Sequence, residues 1–450
     1  MKHILLLGAG RSASSLIRYL FDHAAAEDWQ ITIGDITVDH LQATVAALPF
    51  AKAIFFDVHN AAQRAAEVQQ ADLVISLLPA AFHIEVAREC LQQGKDLITA
   101  SYVTPAFREL HQEAQRKGLT ILMECGLDPG IDHMSAMRVI QHIQETGGRL
   151  TSFRSYTGGL VAPESDNNPW HYKFTWNPRN VVLAGQGTAQ YIKKGEYKYI
   201  PYHRLFRRTD HLYVDGYGDF EGYANRDSLS YREPYGLLDI PTMLRGTLRR
   251  QGYCEAWDVF VQLGLTDDSY MLSGSDTMTY RSFVEAFLPP PTSKEQHPAE
   301  RLSLYLGIPQ DGEVMRKLEW LELFSVKSVG LAGATPAQVL EKILKEKWTL
   351  APGDKDMIVM QHLFEYEREG KQYGVTSTLV ATGEDEVHTA MAKTVGLPVA
   401  ILAKLLLQGK ITRRGVLIPI YPELYGPVLD ELKTYGIDFV EKEQIIRETT

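Results

Sequence analysis

Short apolar segments separated by amphipathic stretches run through the first 130 positions. Residues 3–7 are apolar and lead into Gly8-Ala9-Gly10, after which Leu16, Ile17, Leu20 and Phe21 recur at helical spacing in a polar background. That pattern predicts a strand, a glycine turn and a helix. The alternation continues with Ile31 and Ile33 before Asp35, then the runs 54–58, 73–78 before Pro79, 97–100 and 119–123. Between most of them lie stretches rich in Ala, Gln and Glu, at 61–70, 84–92 and 105–117, whose helix propensity is high. Strands alternating with helices predict an α/β fold, a Rossmann-like doubly wound parallel sheet of about six strands.

After Gly130 the pattern changes. Aromatic and β-branched residues with frequent Gly, Asn and Pro turn signals fill 150–275 and predict a second α/β or α+β domain. Leu288-Pro289-Pro290-Pro291-Thr292-Ser293 reads as a linker, and the Leu-, Glu- and Lys-rich stretch to 349 as a small helical domain. Strand-like alternation returns at 356–382, followed by a long apolar helix over 390–409 and a short strand at 416–420.

Composition narrows the function classes. A chain of 450 residues with 45% hydrophobic and 23% charged positions has the make-up of a folded, multidomain protein rather than a disordered one. Lys+Arg 46 against Asp+Glu 56 leaves a net charge of -10, so no nucleic-acid partner is expected. Cys90, Cys125 and Cys254 are too few and too scattered for a disulfide framework, which points to a reducing compartment, the cytoplasm. No stretch is expected to be apolar over the ~18 residues of a membrane span, and no membrane partner is expected. The histidines show no metal-ligand spacing, and neither a G-x-S-x-G elbow nor a G-x-x-x-x-G-K-[ST] loop is present, so metal, hydrolase and kinase chemistry lose their sequence warrant.

Gly8-Ala9-Gly10-Arg11-Ser12-Ala13 matches the dinucleotide fingerprint G-x-G-x-x-A in its meaningful context, between a strand and a helix. Gly8 permits the tight turn, Gly10 the approach of a pyrophosphate, and Ala13 close packing at a helix N-terminus. Asp35 closes the second strand, where a carboxylate either accepts from the adenosine ribose hydroxyls and repels a 2′-phosphate or caps the following helix; the first reading makes NAD the expected cofactor and NADP the alternative, with Arg11 near enough to complicate that choice. Asp57 and Val58, and Leu77 and Leu78, fall on the carboxyl edge of the sheet where ligands of this fold bind and are candidate cofactor contacts.

Polar residues cluster at strand ends in Ser101-Tyr102, in 126–133, in 225–228 and in 245–247. The segments LVISLLP (73–79), TASYVTPAFREL (99–110), GLDPGIDHM (126–134), GGLVAPESDNNPWHYKFTWNP (158–178), NRDS (225–228), LRGTLRRQGY (244–253), KDMIVM (355–360), AMAKTVGLP (390–398) and YGPVL (425–429) occur in one order along the chain. In these the chain resembles the saccharopine dehydrogenases of the glutamate-forming type, which include fungal saccharopine reductases and the dehydrogenase half of the bifunctional lysine-degrading enzyme of animals. The resemblance implies an NAD(P)-binding domain over 1–130, a substrate-binding and dimerisation domain over 131–285 and 350–390, a helical insertion over 286–349, and C-terminal helices and a strand over 391–450 that return near the nucleotide domain. It also implies a homodimer.

The chemistry implied is NAD(P)-linked oxidation of the secondary amine of saccharopine to an imine, hydrolysed to glutamate and 2-aminoadipate 6-semialdehyde, or the reverse condensation, within lysine metabolism. Saccharopine carries three carboxylates, which suits arginine forks, and Arg226 and Arg245 are the matched candidates. Ser101 and Thr247 add hydroxyls. Asp128 is the candidate acid or base and Tyr102 the alternative proton donor. Relatives carry cysteine in S-Y-C-G-G where this chain has Thr157, which keeps a substrate contact without an ionisable role. Lys173 is a further candidate near the cofactor. Competing readings are an NADP-dependent reductase, a related enzyme condensing another amine with a semialdehyde, and a non-catalytic nucleotide sensor.

Overall fold

The computed structural model describes residues 1–293 and 296–448. Lys294 and Glu295, within the expected insertion, and Thr449 and Thr450, at the end of the expected C-terminal segment, lie outside the described residues. Two compact units divide the chain: the first comprises Met1–Arg149 and Leu379–Val440, the second Leu150–Thr378 and the residues from Glu441 onward.

Strands β1 (Lys2–Leu7), β2 (Trp29–Asp35), β3 (Ala51–Phe55), β4 (Leu73–Ser76), β5 (Asp96–Thr99) and β6 (Thr120–Leu122) form a parallel sheet in the first unit, ordered β6-β5-β4-β1-β2-β3. Ile4, Leu5, Leu6 and Leu7 are all fully buried, as expected of a parallel strand covered on both faces. Leu5, Leu7, Val74, Leu97 and Ile121 share one core cluster with Phe56, Val58, Val86 and Phe107. The strand order reverses between β1 and β4, and carboxyl ends at such a switch point are where doubly wound folds bind ligands.

The chain returns to this unit after a long excursion. Gly415–Leu417 pairs in parallel with β6 and makes a seventh strand, shorter than the run expected at 416–420. The helix Ile131–Glu145 packs on Pro422–Thr434, with the Tyr425 hydroxyl donating to Gln141, so the first unit continues past the expected boundary at 130. Helix Ala390–Leu407 lies along Ser14–Glu27, where a Cβ at Gly396 would come within 2.9 Å of the Leu16 nitrogen. This helix corrects the expectation that nothing is long and apolar enough to cross a membrane: by length and composition Ala390–Leu407 is. It is a core helix: 72% of its residues are buried, packed against the sheet and its helices.

In the second unit β7 (Arg149–Val161), β8 (Ala189–Lys193), β9 (Glu196–Ile200), β10 (Asp210–Val214), β11 (Gly218–Ala224), β12 (Thr242–Arg250), β13 (Asp356–Arg368) and β14 (Lys371–Thr382) build a mixed sheet. With the strand just described as β15, the last strand is β16 (Val440–Glu448), and the order is β10-β11-β12-β7-β13-β14-β16, with β8 against β12 and β9. Pro298 and Pro336 open two of the helices that follow, and Thr279 and Thr335 close capping boxes on two. These helices join the unit's own core rather than standing apart as an insertion. Trp348, ending Pro336–Trp348, meets Trp170 edge-on at 5.2 Å and Tyr172 at 5.0 Å, and the Trp170 indole donates to the Lys317 carbonyl at 2.9 Å.

Candidate active site

The glycine turn after β1 is built by contact. Gly8 has φ +96°, and a Cβ there would lie 2.8 Å from the Leu77 carbonyl carbon and oxygen, so only glycine lets the turn pass the end of β4. Gly10 is exposed with nothing within 4 Å of where its Cβ would be, which leaves its backbone open to a pyrophosphate. Arg11, Ser12 and Ala13 form a short turn into Ser14–Glu27; Ala13 is buried against the fold, whereas Arg11 faces solvent. The residues fit a dinucleotide.

Asp35 sits at the end of β2 with Oδ2 accepting from the Ala9 N–H at 2.7 Å and Oδ1 from the Thr37 N–H at 3.0 Å. The carboxylate thus ties the glycine turn to the adjacent strand instead of capping the helix that follows. Asp57 accepts from the His59 N–H at 2.9 Å within its own turn, and Val58 is buried in the core cluster, so packing accounts for both positions. Leu77 and Leu78 are half-buried at the sheet edge.

Beyond β5 and β6 the chain knots itself around Glu124. Its N–H donates to the Ser101 carbonyl at 3.0 Å, its Oε1 accepts from the Val103 N–H at 2.8 Å, and its Oε2 lies 2.7 Å from Nε2 of His133. Tyr102, held between the first two bonds, stays 46% exposed and donates to Asp128 Oδ1 at 3.1 Å. Asp128 is presented by a closed loop: Gly126 N–H bonds the Pro129 carbonyl at 2.9 Å, and Ile131 N–H the Gly126 carbonyl at 2.8 Å. Gly130 has φ +147°, and a Cβ there would fall 2.0 Å from the Gly126 oxygen. Ser101 is held in turn by His83, whose Nε2 lies 2.7 Å from its hydroxyl; burial pushes that imidazole down to about 4, so it is neutral. The structure therefore brings Ser101, Tyr102 and Asp128 together at one edge.

The second unit gathers its own set. Thr247 of β12 is the register partner of Thr157 on β7 and of Tyr223 on β11, and its hydroxyl donates to Asn225 Oδ1 at 2.7 Å. Arg245, two residues back on the same face, is buried with its guanidinium 4.4 Å from the centre of the Tyr231 ring. The Thr157 hydroxyl is buried with no hydrogen-bond partner in the protein. Arg226 is exposed beside this group, its backbone carbonyl accepting from Gln190 N–H at 3.1 Å.

Lys173 forms an ion pair within the second unit. Its ammonium is buried in the second unit and bound to Asp354 Oδ2 at 2.6 Å, a pair that fastens the turn before β13. Among the described residues no cluster of three or more His, Cys, Asp or Glu side chains is placed to hold a metal ion.

His83, Glu124, His133 and Asn225 escaped the sequence reading as site residues. His83 carried a usable signal, since it opens a helix just after the carboxyl end of β4. Asn225 lay inside a quoted motif, but its pairing with Thr247 is a matter of strand register.

A glycine-turn sheet with polar groups at its switch-point edge, joined to a second sheet bearing hydroxyls and buried guanidinium, defines a dinucleotide-dependent oxidoreductase. Residues 4–122 match the family described as saccharopine dehydrogenase NADP binding domain, and 126–437 match saccharopine dehydrogenase C-terminal domain. The chain belongs to the saccharopine dehydrogenase family. It is 36% identical over 447 residues to saccharopine dehydrogenase [NADP(+), L-glutamate-forming] of Saccharomyces cerevisiae, covering 98% of this chain and 99% of that one. The protein of the same name from Schizosaccharomyces pombe is 34% identical, covering 98% and 99%. Mouse mitochondrial alpha-aminoadipic semialdehyde synthase is 35% identical over 97% of this chain but 47% of its own length. The solved structure of apo histidine-tagged saccharopine dehydrogenase (L-Glu forming) from Saccharomyces cerevisiae superposes with a TM-score of 0.89 at 34% identity, over 99% of this chain and all of that one. The matched domain and the yeast relatives carry NADP in their names, where Asp35 led to the expectation of NAD.

Proposed function

We propose that this chain oxidises the secondary amine of saccharopine with a nicotinamide dinucleotide, releasing glutamate and 2-aminoadipate 6-semialdehyde, and catalyses the reverse condensation. The observation that carries the reading is the Tyr102–Asp128 pair held beyond the carboxyl ends of β5 and β6, in a chain alike over its whole length to enzymes of that name. When bound, the nicotinamide ring supplies the hydride acceptor. Asp128 takes the proton that the substrate nitrogen gives up as the carbon–nitrogen double bond forms. Tyr102, donating to Oδ1, holds the carboxylate in place for that step. Water then adds across the double bond, hydroxyl to carbon and proton to nitrogen; Asp128 gives its proton to that nitrogen, and as the C–N bond breaks the hydroxyl loses its proton to solvent, leaving the aldehyde and glutamate as the amine. Arg245 and Arg226 grip carboxylates of the substrate, and Thr157, Thr247 and Ser101 add hydrogen bonds.

NADP is the first reading for the cofactor, supported by the names the relatives carry. A specific observation favours NAD: Asp35 is an anion at the end of β2, and the twelve positions after it, 36–47, hold no Lys or Arg to receive a 2′-phosphate. Steady-state reduction at 340 nm with saccharopine, NAD and NADP, alongside glutamate release, tests both points. NADP preference in the native chain supports the first reading; NAD preference that inverts in Asp35→Ser supports the second. Silence with both, on a folded protein, overturns the activity.

We place the protein in the cytoplasm, a reading supported by three cysteines that are buried and unpaired. A homodimer through the second unit is part of the same proposal. Tyr197, Tyr199 and Tyr213, exposed on β9 and β10, support it, and light scattering of the purified chain tests it.

A further inference from the structure

Behind Ser101 runs a chain of buried polar groups that the proposed chemistry does not use. Ser76 ends β4, Thr99 ends β5 and His83 opens the helix His83–Gln93; all three are at most 1% exposed. The Ser76 hydroxyl lies 2.8 Å from His83 Nδ1, and His83 Nε2 lies 2.7 Å from the Ser101 hydroxyl and 3.4 Å from that of Thr99. The Thr99 hydroxyl oxygen also accepts from the Ser101 N–H at 3.3 Å.

Two buried hydroxyls compete for the one acceptor nitrogen of a neutral ring, Ser76 at 2.8 Å from Nδ1 and Thr99 at 3.4 Å from Nε2, and the shorter contact decides. Ser76 is out of reach of water, and Nδ1 is the partner its side chain has. A buried hydroxyl left without an acceptor is costly, so Ser76 donates and Nδ1 accepts. A neutral imidazole then carries its single proton on Nε2, which donates to the Ser101 oxygen with Thr99 as the weaker second acceptor. An oxygen that already accepts this bond turns its own hydrogen away from His83. Ser101 is half-exposed, so that hydrogen points to the sheet edge where Tyr102 and Asp128 stand.

We propose that Ser76 and His83 set the polarity of Ser101, making it a hydrogen-bond donor committed to an anionic oxygen of the substrate, and that His83 is a positioning residue for substrate recognition. The inference rests on the proposed reading of the site and adds to it the chemical class that Ser101 receives, a carboxylate in preference to an ammonium. A leucine at 83 frees the Ser101 hydroxyl to rotate. A glutamine keeps an N–H near the position of Nε2.

The test joins kinetics with a signal that does not need turnover. In His83→Leu the KM for saccharopine rises about tenfold while kcat stays within about threefold and dinucleotide affinity, read by fluorescence titration, is unchanged. His83→Gln restores KM to within about threefold, and His83→Leu adds nothing on a Ser101→Ala background. Unchanged KM in His83→Leu, or additive effects with Ser101→Ala, would overturn the proposal. Independently, 15N spectra of histidine-labelled native protein, with His83→Gln used to assign the signal, should show a neutral ring protonated at Nε2. A ring protonated at Nδ1, or a cation at neutral pH, also overturns it. A native chain inert toward saccharopine defeats the proposed function instead, and the 15N signal then still decides the polarity of the relay.

Discussion

The two units hold their candidate residues by different physical means. At the edge of the first sheet, Ser101, Tyr102 and Asp128 stand on tight loops whose geometry is fixed by backbone bonds to Glu124 and by glycines that admit no side chain. In the second unit Thr157, Arg245 and Thr247 stand on long paired strands, and register sets their spacing. Loops knotted by hydrogen bonds suit groups that must handle protons at one point, and a pleated face suits a row of groups gripping an extended, multiply charged ligand. The difference assigns proton handling to Tyr102 and Asp128 of the first set, with Ser101 beside them as a recognition donor, and recognition to the whole of the second.

Substitutions sharpen or break that assignment. The largest effect is expected from Asp128→Asn, which should lower kcat by about 10²–10⁴-fold with the KM for saccharopine little changed. A change confined to KM would move Asp128 into recognition. Lys173→Met leaves Asp354 buried without its cation and should cost about 3–5 kcal/mol of stability, seen as a lower denaturation midpoint, while dinucleotide affinity holds. Weakened dinucleotide binding at full stability would instead return Lys173 to the cofactor.

Arg245→Lys retains the charge but loses the planar fork, and KM should rise about 10- to 100-fold with kcat nearly unchanged. If kcat fell and KM held, the division between the units would fail. A last effect concerns acid stability. His83 is depressed in the folded state from 6.5 to about 4 by burial, so the unfolded chain binds a proton first as pH falls. That contribution is fully present above pH 6.5 and is lost progressively between 6.5 and about 4; His83→Gln should flatten this part of the stability profile in urea titrations.

The same contrast explains what could be read from the sequence. Parallel strands buried on both faces are continuous apolar runs, so β1 and β4 and the glycine turn were plain from periodicity, and the G-x-G-x-x-A spacing falls where the turn is. Asp128 and Tyr102 lie 26 residues apart yet meet, and only the family motifs joined them in advance. Glu124 and His133 were hidden because their role is tertiary: a carboxylate that accepts from Val103 across a loop has no periodic mark. The unit boundaries shifted for a similar reason. Trp348 looked like the end of a separate helical segment, but its partners are Trp170 and Tyr172, far back along the chain. The ion pair of Lys173 had no mark in the sequence because Asp354, which neutralises it, is 181 residues away.

The central claim is a hydride transfer from the carbon of saccharopine that was the ε-carbon of lysine. It is tested most directly with saccharopine carrying two deuterons on that carbon, by following label and glutamate together. One deuteron is expected in each reduced dinucleotide, one retained in the aldehyde, and one glutamate released per transfer. Glutamate release without label in the dinucleotide, or both deuterons retained on the carbon, would contradict it.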